Sequence, residues 1–136
     1  MNSCQSIIFI PVKHASILLV DDDEDDQEIF FAALEELSYP GVFKPLSSAI
    51  EALKLLKGGQ VKPDLIFLDL NMPIMNGQQF LKEIKNTVNA QHIPVIIIST
   101  SSNPQTIQQT KELGAYDFVT KPDKFDELVN KLKPLI

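Results

Sequence analysis

The sequence predicts an α/β domain built on a parallel sheet of five strands, with helices on both faces. Three observations carry this reading. Short apolar runs alternate with amphipathic stretches five times along the chain. Three of those runs are apolar throughout rather than alternating, the pattern of strands covered on both sides. Strand–helix–strand order also demands right-handed crossovers, which distribute the helices over both faces of the sheet.

The first strand is read at 17–20, Ile17-Leu18-Leu19-Val20. A helix near 25–37 follows, with Ile29, Phe30, Ala33, Leu34 and Leu37 along one face. The second strand, 42–46, contains Pro45, which lacks a ladder donor and therefore belongs at an edge. Ser48 with Glu51 reads as a capping box that opens a helix through Leu56, and Gly58-Gly59 ends it. Leu65-Ile66-Phe67-Leu68 is the third strand, and a helix near 78–87 presents Phe80, Leu81 and Ile84. Val95-Ile96-Ile97-Ile98 is the fourth strand. Asn103-Pro104 supplies a cap and a first-turn proline to the next helix, which Gly114 terminates. The fifth strand is Tyr116-Asp117-Phe118-Val119, and the last helix, near 123–134, carries Phe125, Leu128, Val129 and Leu132. Residues 1–15 are expected to form an N-terminal arm and 16–136 a single domain.

Composition narrows the function. The chain has 136 residues, 44% of them apolar, which suits one domain with a real core. Its net charge is −6 and it contains no Arg, which argues against a nucleic-acid surface and against an anionic membrane surface. The run Ile7-Ile8-Phe9-Ile10 is too short to span a bilayer and lacks the flanks of a signal peptide. Cys4 is a lone cysteine, read as a bystander thiol. A reducing, cytoplasmic location is the expectation.

In an open α/β sheet, ligands bind beyond the carboxyl ends of the strands. The residues leaving the strands here are Asp21-Asp22-Asp23, Asp69, Ser99-Thr100 and Thr120-Lys121. Asp21 to Asp26 is an unbroken run of six acids. Asp25 and Asp26 read as solvated helix-start acids, whereas Asp21 and Asp22 directly follow a buried strand. Two carboxylates about 4 Å apart repel by about 4 kcal/mol at an effective dielectric near 20. Convergence of Asp21, Asp22 and Asp69 therefore calls for a divalent cation, and an all-oxygen set suits Mg²⁺ better than zinc. Asp69 beside such a cation can act as a nucleophile toward phosphorus. Lys121 is the matching point charge, and Ser99 and Thr100 offer hydroxyl and backbone donors. Asp23 remains an alternative for part of the metal work.

With these motifs in order, the sequence resembles the receiver domains of response regulators in two-component systems. Ile17 through Asp22, Leu68-Asp69-Leu70-Asn71-Met72-Pro73 with Gly77, Pro94 through Thr100, and Lys121-Pro122 carry the resemblance, which spans about residues 16–135. It implies a flavodoxin-like (βα)5 three-layer sandwich with strand order 2-1-3-4-5. It implies that Asp69 is the phosphoacceptor. Asp22 would bind Mg²⁺ directly, Asp21 mainly through water, and Asn71 would contribute its backbone carbonyl. Ser99 would move its hydroxyl toward the phosphoryl group, the Thr100 amide would help bind it, and Lys121 would pair with it. Phe118 would be the aromatic that rotates inward, and Lys121-Pro122 would be a cis peptide. The implied partners are a sensor histidine kinase or phosphotransfer protein and a downstream protein target, with no nucleic acid and no membrane. The implied state is a monomer or a phosphorylation-dependent dimer. A stand-alone, non-enzymatic receiver is the expectation. Two other readings stand beside it: a phosphohydrolase using Asp21 and Asp23, and a receiver-like scaffold that only binds proteins.

Overall fold

In the computed structural model, which describes residues 14–101 and 103–136, five strands form one parallel sheet in the order β2-β1-β3-β4-β5. The strands are β1 (Ser16–Val20), β2 (Val42–Leu46), β3 (Leu65–Leu68), β4 (Val95–Ser99) and β5 (Asp117–Thr120). They alternate with α1 (Glu24–Glu36), α2 (Ala49–Lys57), α3 (Gly77–Lys85), α4 (Pro104–Glu112) and α5 (Phe125–Leu132). The predicted alternation and the implied strand order are both observed. Cys4 and nearly all of the expected N-terminal arm lie outside the described residues.

The continuous apolar runs are explained by a core on each side of the sheet. Leu18, Val20, Ile66, Leu68, Val95 and Ile97 face one way and pack with α2 and α3 through Ala52, Leu56, Phe80 and Ile84. Ile17, Leu19, Leu65, Phe67, Ile96 and Ile98 face the other way, onto Phe30, Ala33 and Leu34 of α1 and Leu128 and Leu132 of α5. Successive strand side chains point to opposite faces, so a strand buried on both sides is apolar along almost all its length, with Ser99 at the end of β4 as a polar exception. Phe30 ties α1 to the sheet: its ring packs edge-on to Phe67 at 4.9 Å and stacks on Phe43 at 5.6 Å.

Pro45 is tolerated because β2 is an edge strand whose only ladder partner among the described residues is β1, with Pro45 opposite Leu19. The helix starts follow capping chemistry. Asp23 caps α1 by accepting bonds from the amides of Asp25 and Asp26. Ser48 accepts from the Glu51 amide at α2, and Asn103 with Pro104 opens α4. The reciprocal capping box occurs at α3, where Asn76 and Gln79 bond each other's backbone amides. Phe80 in α3 is fully buried. Phe80→Ala is expected to cost about 3–5 kcal/mol in urea unfolding, since the void it leaves lies among side chains held by the sheet.

The Lys121–Pro122 peptide differs from the expectation. No cis peptide bond occurs among the described residues, so this bond is trans. The trans isomer is the lower-energy form of an X–Pro bond, by about 0.5–1 kcal/mol.

Candidate functional site

The carboxyl ends of β1, β3, β4 and β5 form one rim, and the backbone holds each polar residue there. The Asp21 amide donates to the Leu46 carbonyl and the Asp69 amide to the Val20 carbonyl, each at 3.0 Å, extending the ladder past the strand ends. The Lys121 amide donates to the Ser99 carbonyl at 2.7 Å. The main chain is thus pinned at the points where the side chains leave it.

Asp21, Asp22 and Asp69 converge. One carboxylate oxygen from each lies within 4.8 Å of the others. Asp21 and Asp69 are buried, at 1% and 6% exposure, while Asp22 faces solvent. Lys121 closes the group, its Nζ lying 3.1 Å from Asp21 Oδ2 and 3.7 Å from Asp69 Oδ2. The remaining Asp21 oxygen accepts from the Asp23 amide at 2.9 Å, and Asp69 Oδ1 accepts from the Asn71 amide at 3.2 Å.

Burial dominates the acid strengths. It raises Asp69, with the charges of Asp21 and Asp22 adding to it and Lys121 and the Asn71 amide opposing it, so the carboxyl is pushed up to about 6. Burial likewise raises Asp21 against the Asp23 amide and Lys121. Burial pulls Lys121 down, but the carboxylates of Asp26, Asp21 and Asp69 outweigh it and hold the ammonium at about 12. Buried acids that resist ionisation yet face a solvent-exposed third acid form an oxygen donor set for a hard cation that keeps part of its water shell.

Of the other predicted residues, Ser99 is fully buried at the end of β4, with its hydroxyl accepting from the Ser101 amide at 3.2 Å. Thr100 is exposed beside it. Phe118 is half-buried against the α2–α3 core. Among the described residues, the hydrogen bonds and ion pairs of the acid cluster do not include the side chains of Ser99, Thr100 or Phe118. Asp23, the alternative metal residue, is committed to capping α1.

Two residues escaped the sequence reading. Asp26 approaches Lys121 more closely than either rim acid, at 2.8 Å. Gln27 donates from Nε2 to the Asp21 carbonyl at 2.6 Å and to Ser47 Oγ at 3.0 Å, joining the start of α1 to the β2–α2 loop. Both lie in the first turn of α1, where an acid or amide is also the ordinary choice for a helix start. That ambiguity hid them.

Gly77 is set by close approach. A Cβ there would lie 2.6 Å from Leu70 Cα and 2.8 Å from the Asp69 carbonyl oxygen. Its amide also donates to the Leu70 carbonyl at 3.0 Å, folding the β3–α3 loop back under Asp69. Gly77→Ala is expected to cost about 3 kcal/mol, because the obstructing atoms belong mainly to backbone. Urea unfolding measures it, and the same variant should weaken metal binding by moving Asp69.

An acid-lined rim on a 2-1-3-4-5 sheet, closed by the lysine that follows the last strand, defines a receiver. The chain belongs to the response regulator receiver domain family, which it matches over residues 17–133. Among solved structures, it superposes on the phosphorylated cyanobacterial phytochrome response regulator RcpA with a TM-score of 0.81. Identity is 31%, covering 90% of this chain and 91% of that one. The Mn²⁺-bound response regulator Rcp1 gives 0.79 and 27%, covering 89% and 91%. The chemotaxis protein CheY4 of Vibrio cholerae gives 0.75 and 25%, covering 90% and 98%. Among curated proteins, a probable C4-dicarboxylate response regulator, DctR, of Priestia megaterium is 30% identical over 89% of this chain and 51% of its own length. A protein-glutamate methylesterase/protein-glutamine glutaminase of Desulfotalea psychrophila is 31% identical over 88% of this chain and 32% of its own. A probable cyclic di-GMP phosphodiesterase of Vibrio cholerae is 42% identical over 58% of this chain and 18% of its own. The chain spans about a fifth to a half of the length of these relatives. Family membership places the chain in phosphorylation-dependent signalling. Among the described residues, no helix is long and apolar enough to cross a membrane.

Proposed function

We propose that Asp69 accepts a phosphoryl group from a phosphohistidine and that the chain works as a Mg²⁺-dependent signalling switch. The observation that carries this is the convergence of Asp21, Asp22 and Asp69 around a lysine that spans them.

In the transfer, an Asp69 carboxylate oxygen forms a bond to phosphorus while the phosphorus–nitrogen bond of the donor breaks. The electron pair goes to the imidazole nitrogen, and because the donor ring carries a proton on its other nitrogen it leaves as neutral imidazole. Asp21, Asp22, Asp69 and the backbone carbonyl of Asn71 are the residues that would hold Mg²⁺, which when bound neutralises the acids and the developing phosphoryl charge. Lys121 supplies a further positive charge to the phosphoryl oxygens. Asp69 is about half protonated near pH 6, so uptake needs either a higher pH or the cation to keep it nucleophilic.

The acyl phosphate brings about −1.5 to −2 charges and three acceptor oxygens. Ser99 gives up its bond from the Ser101 amide, turns its hydroxyl to a phosphoryl oxygen, and the Thr100 amide binds another. Phe118 moves into the space Ser99 leaves. The altered surface of α4, β5 and α5 then selects a downstream protein target, a population shift rather than a refolding. The donor is a sensor histidine kinase or a phosphotransfer protein, the location is the cytoplasm, and the unit is a monomer or a phosphorylation-dependent dimer. The commitment of Asp23 to the α1 cap weighs against the phosphohydrolase reading, which needs that carboxylate free.

A radiolabelled phosphodonor with Mg²⁺ tests the assignment. Hydroxylamine-sensitive label is expected on the wild type and absent from Asp69→Asn. Label of that chemistry retained on Asp69→Asn defeats it.

A further inference from the structure

Lys121 has three carboxylate neighbours, and the nearest is outside the acid cluster. Its Nζ lies 2.8 Å from Asp26 Oδ2, 3.1 Å from Asp21 Oδ2 and 3.7 Å from Asp69 Oδ2. The first two are hydrogen bonds, whereas the contact to Asp69 is too long to be one. Asp26 stands in the first turn of α1, which Asp23 starts by capping the Asp25 and Asp26 amides. Behind the pair is a cleft of about 230 Å³ between α1 and the segment leaving β5, with Leu19, Phe30, Ile98 and Leu128 as its apolar wall. The two partners are unequally tied. The Asp26 side chain is 37% exposed and can turn to solvent, while the Lys121 side chain is 15% exposed and must keep an anionic partner.

The proposed function requires the ammonium on an oxygen of phosphorylated Asp69, and the inference rests on that reading. To get there, Lys121 must lengthen its shortest contact. Asp26 carries one charge and the phosphoryl group about −1.5 to −2, so the exchange runs forward once the group is in place. Until then, Asp26 keeps the ammonium on the α1 side of the rim.

We propose that Asp26 is a positioning residue for Lys121: it withholds the ammonium from Asp69 in the unphosphorylated chain and so sets how tightly a phosphoryl group is held. A purely structural ion pair would make the opposite prediction, since losing it would loosen the rim and weaken binding there.

The experiment is titration of the full chain with beryllium trifluoride, a non-transferable phosphoryl mimic, in excess Mg²⁺. Asp26→Asn is expected to bind the mimic about fivefold more tightly than the wild type, the scale of one partly exposed ion pair. Asp26→Ser, which cannot mimic the carboxylate shape, is expected to do the same. Asp26→Glu keeps the charge and is expected to stay near the wild type. Unchanged or weaker binding by both neutral variants overturns the proposal, as does an equal gain in Asp26→Glu. Failure of the wild type to bind the mimic, or binding by Asp69→Asn as strong as the wild type's, overturns the phosphoacceptor reading itself and this proposal with it.

Discussion

Asp69→Asn is expected to make the metal-free protein more stable at pH 8, by about 2 kcal/mol, although it removes the centre of the proposed chemistry. The reason is that folding forces this carboxyl into a buried place beside two other acids, where it is raised from 3.8 to about 6. Below the unfolded value the group is neutral in both states and the native place costs nothing extra. As pH rises through about 6, the native chain must ionise a group that the unfolded chain has already ionised, and stability is lost. Each pH unit between those values is worth about 1.4 kcal/mol, so the full penalty is about 3 kcal/mol. The desolvated amide of Asn takes back about 1 kcal/mol of the gain. Urea unfolding in chelator from pH 4 to pH 8 should therefore show a falling wild-type curve and a flatter one for Asp69→Asn, the raised Asp21 keeping some slope in both. Excess Mg²⁺ should reverse the order at pH 8, since a cation that binds only the native chain stabilises it by mass action. A variant no more stable than the wild type in chelator at pH 8 would show that Asp69 is not strained by its surroundings.

Lys121→Met should act in the other direction, with a loss of about 3 kcal/mol at pH 8. Asp21 is 1% exposed and bonded to this ammonium, so the variant leaves a buried carboxylate without its cation and three acids without their common neutraliser. The pH window follows from both partners. Lys121 is raised to about 12, so its contribution is complete below 10.5 and fades as pH climbs through about 12. On the acid side, the contribution fades as Asp69 takes up its proton below about 6. The difference between wild type and variant should thus be widest between roughly pH 7 and pH 10 and shrink on the acid side as Asp69 and the raised Asp21 take up protons. Mg²⁺ is expected to bind Lys121→Met more tightly than the wild type, because the ammonium competes for the same oxygens. Calorimetric titration at pH 8 checks that, and weaker binding would argue that Lys121 organises the acids rather than competing for them.

Most of the fold was legible because it depends on local pattern. Runs such as Val95 to Ile98, short and β-branched throughout, fit strands covered twice, and the caps at Ser48 and Asn103 mark helix starts by their own chemistry. The rim was legible for a topological reason. Parallel strands joined by right-handed crossovers place all their carboxyl ends on one edge, so Asp21, Asp69 and Lys121 meet without any knowledge of distances. Local chemistry was less decisive where one residue type serves two purposes. Ser48-to-Glu51 suggested a full capping box, yet the reciprocal pair formed at Asn76 and Gln79 instead.

What sequence alone determined here is which residues leave the strands and toward which edge, because periodicity, burial and connection rules act on each segment separately. What tertiary structure decided is how those side chains pair. Lys121 binds Asp26 across a separation of 95 residues, Asp23 caps α1, Asp21 is buried while Asp22 faces water, and Pro122 is trans. The pairing of Lys121 turns on differences of tenths of an ångström to an ångström between competing carboxylates. Electrostatic energy at such range depends on distance and dielectric, and both are set only when α1, β3 and β5 pack together.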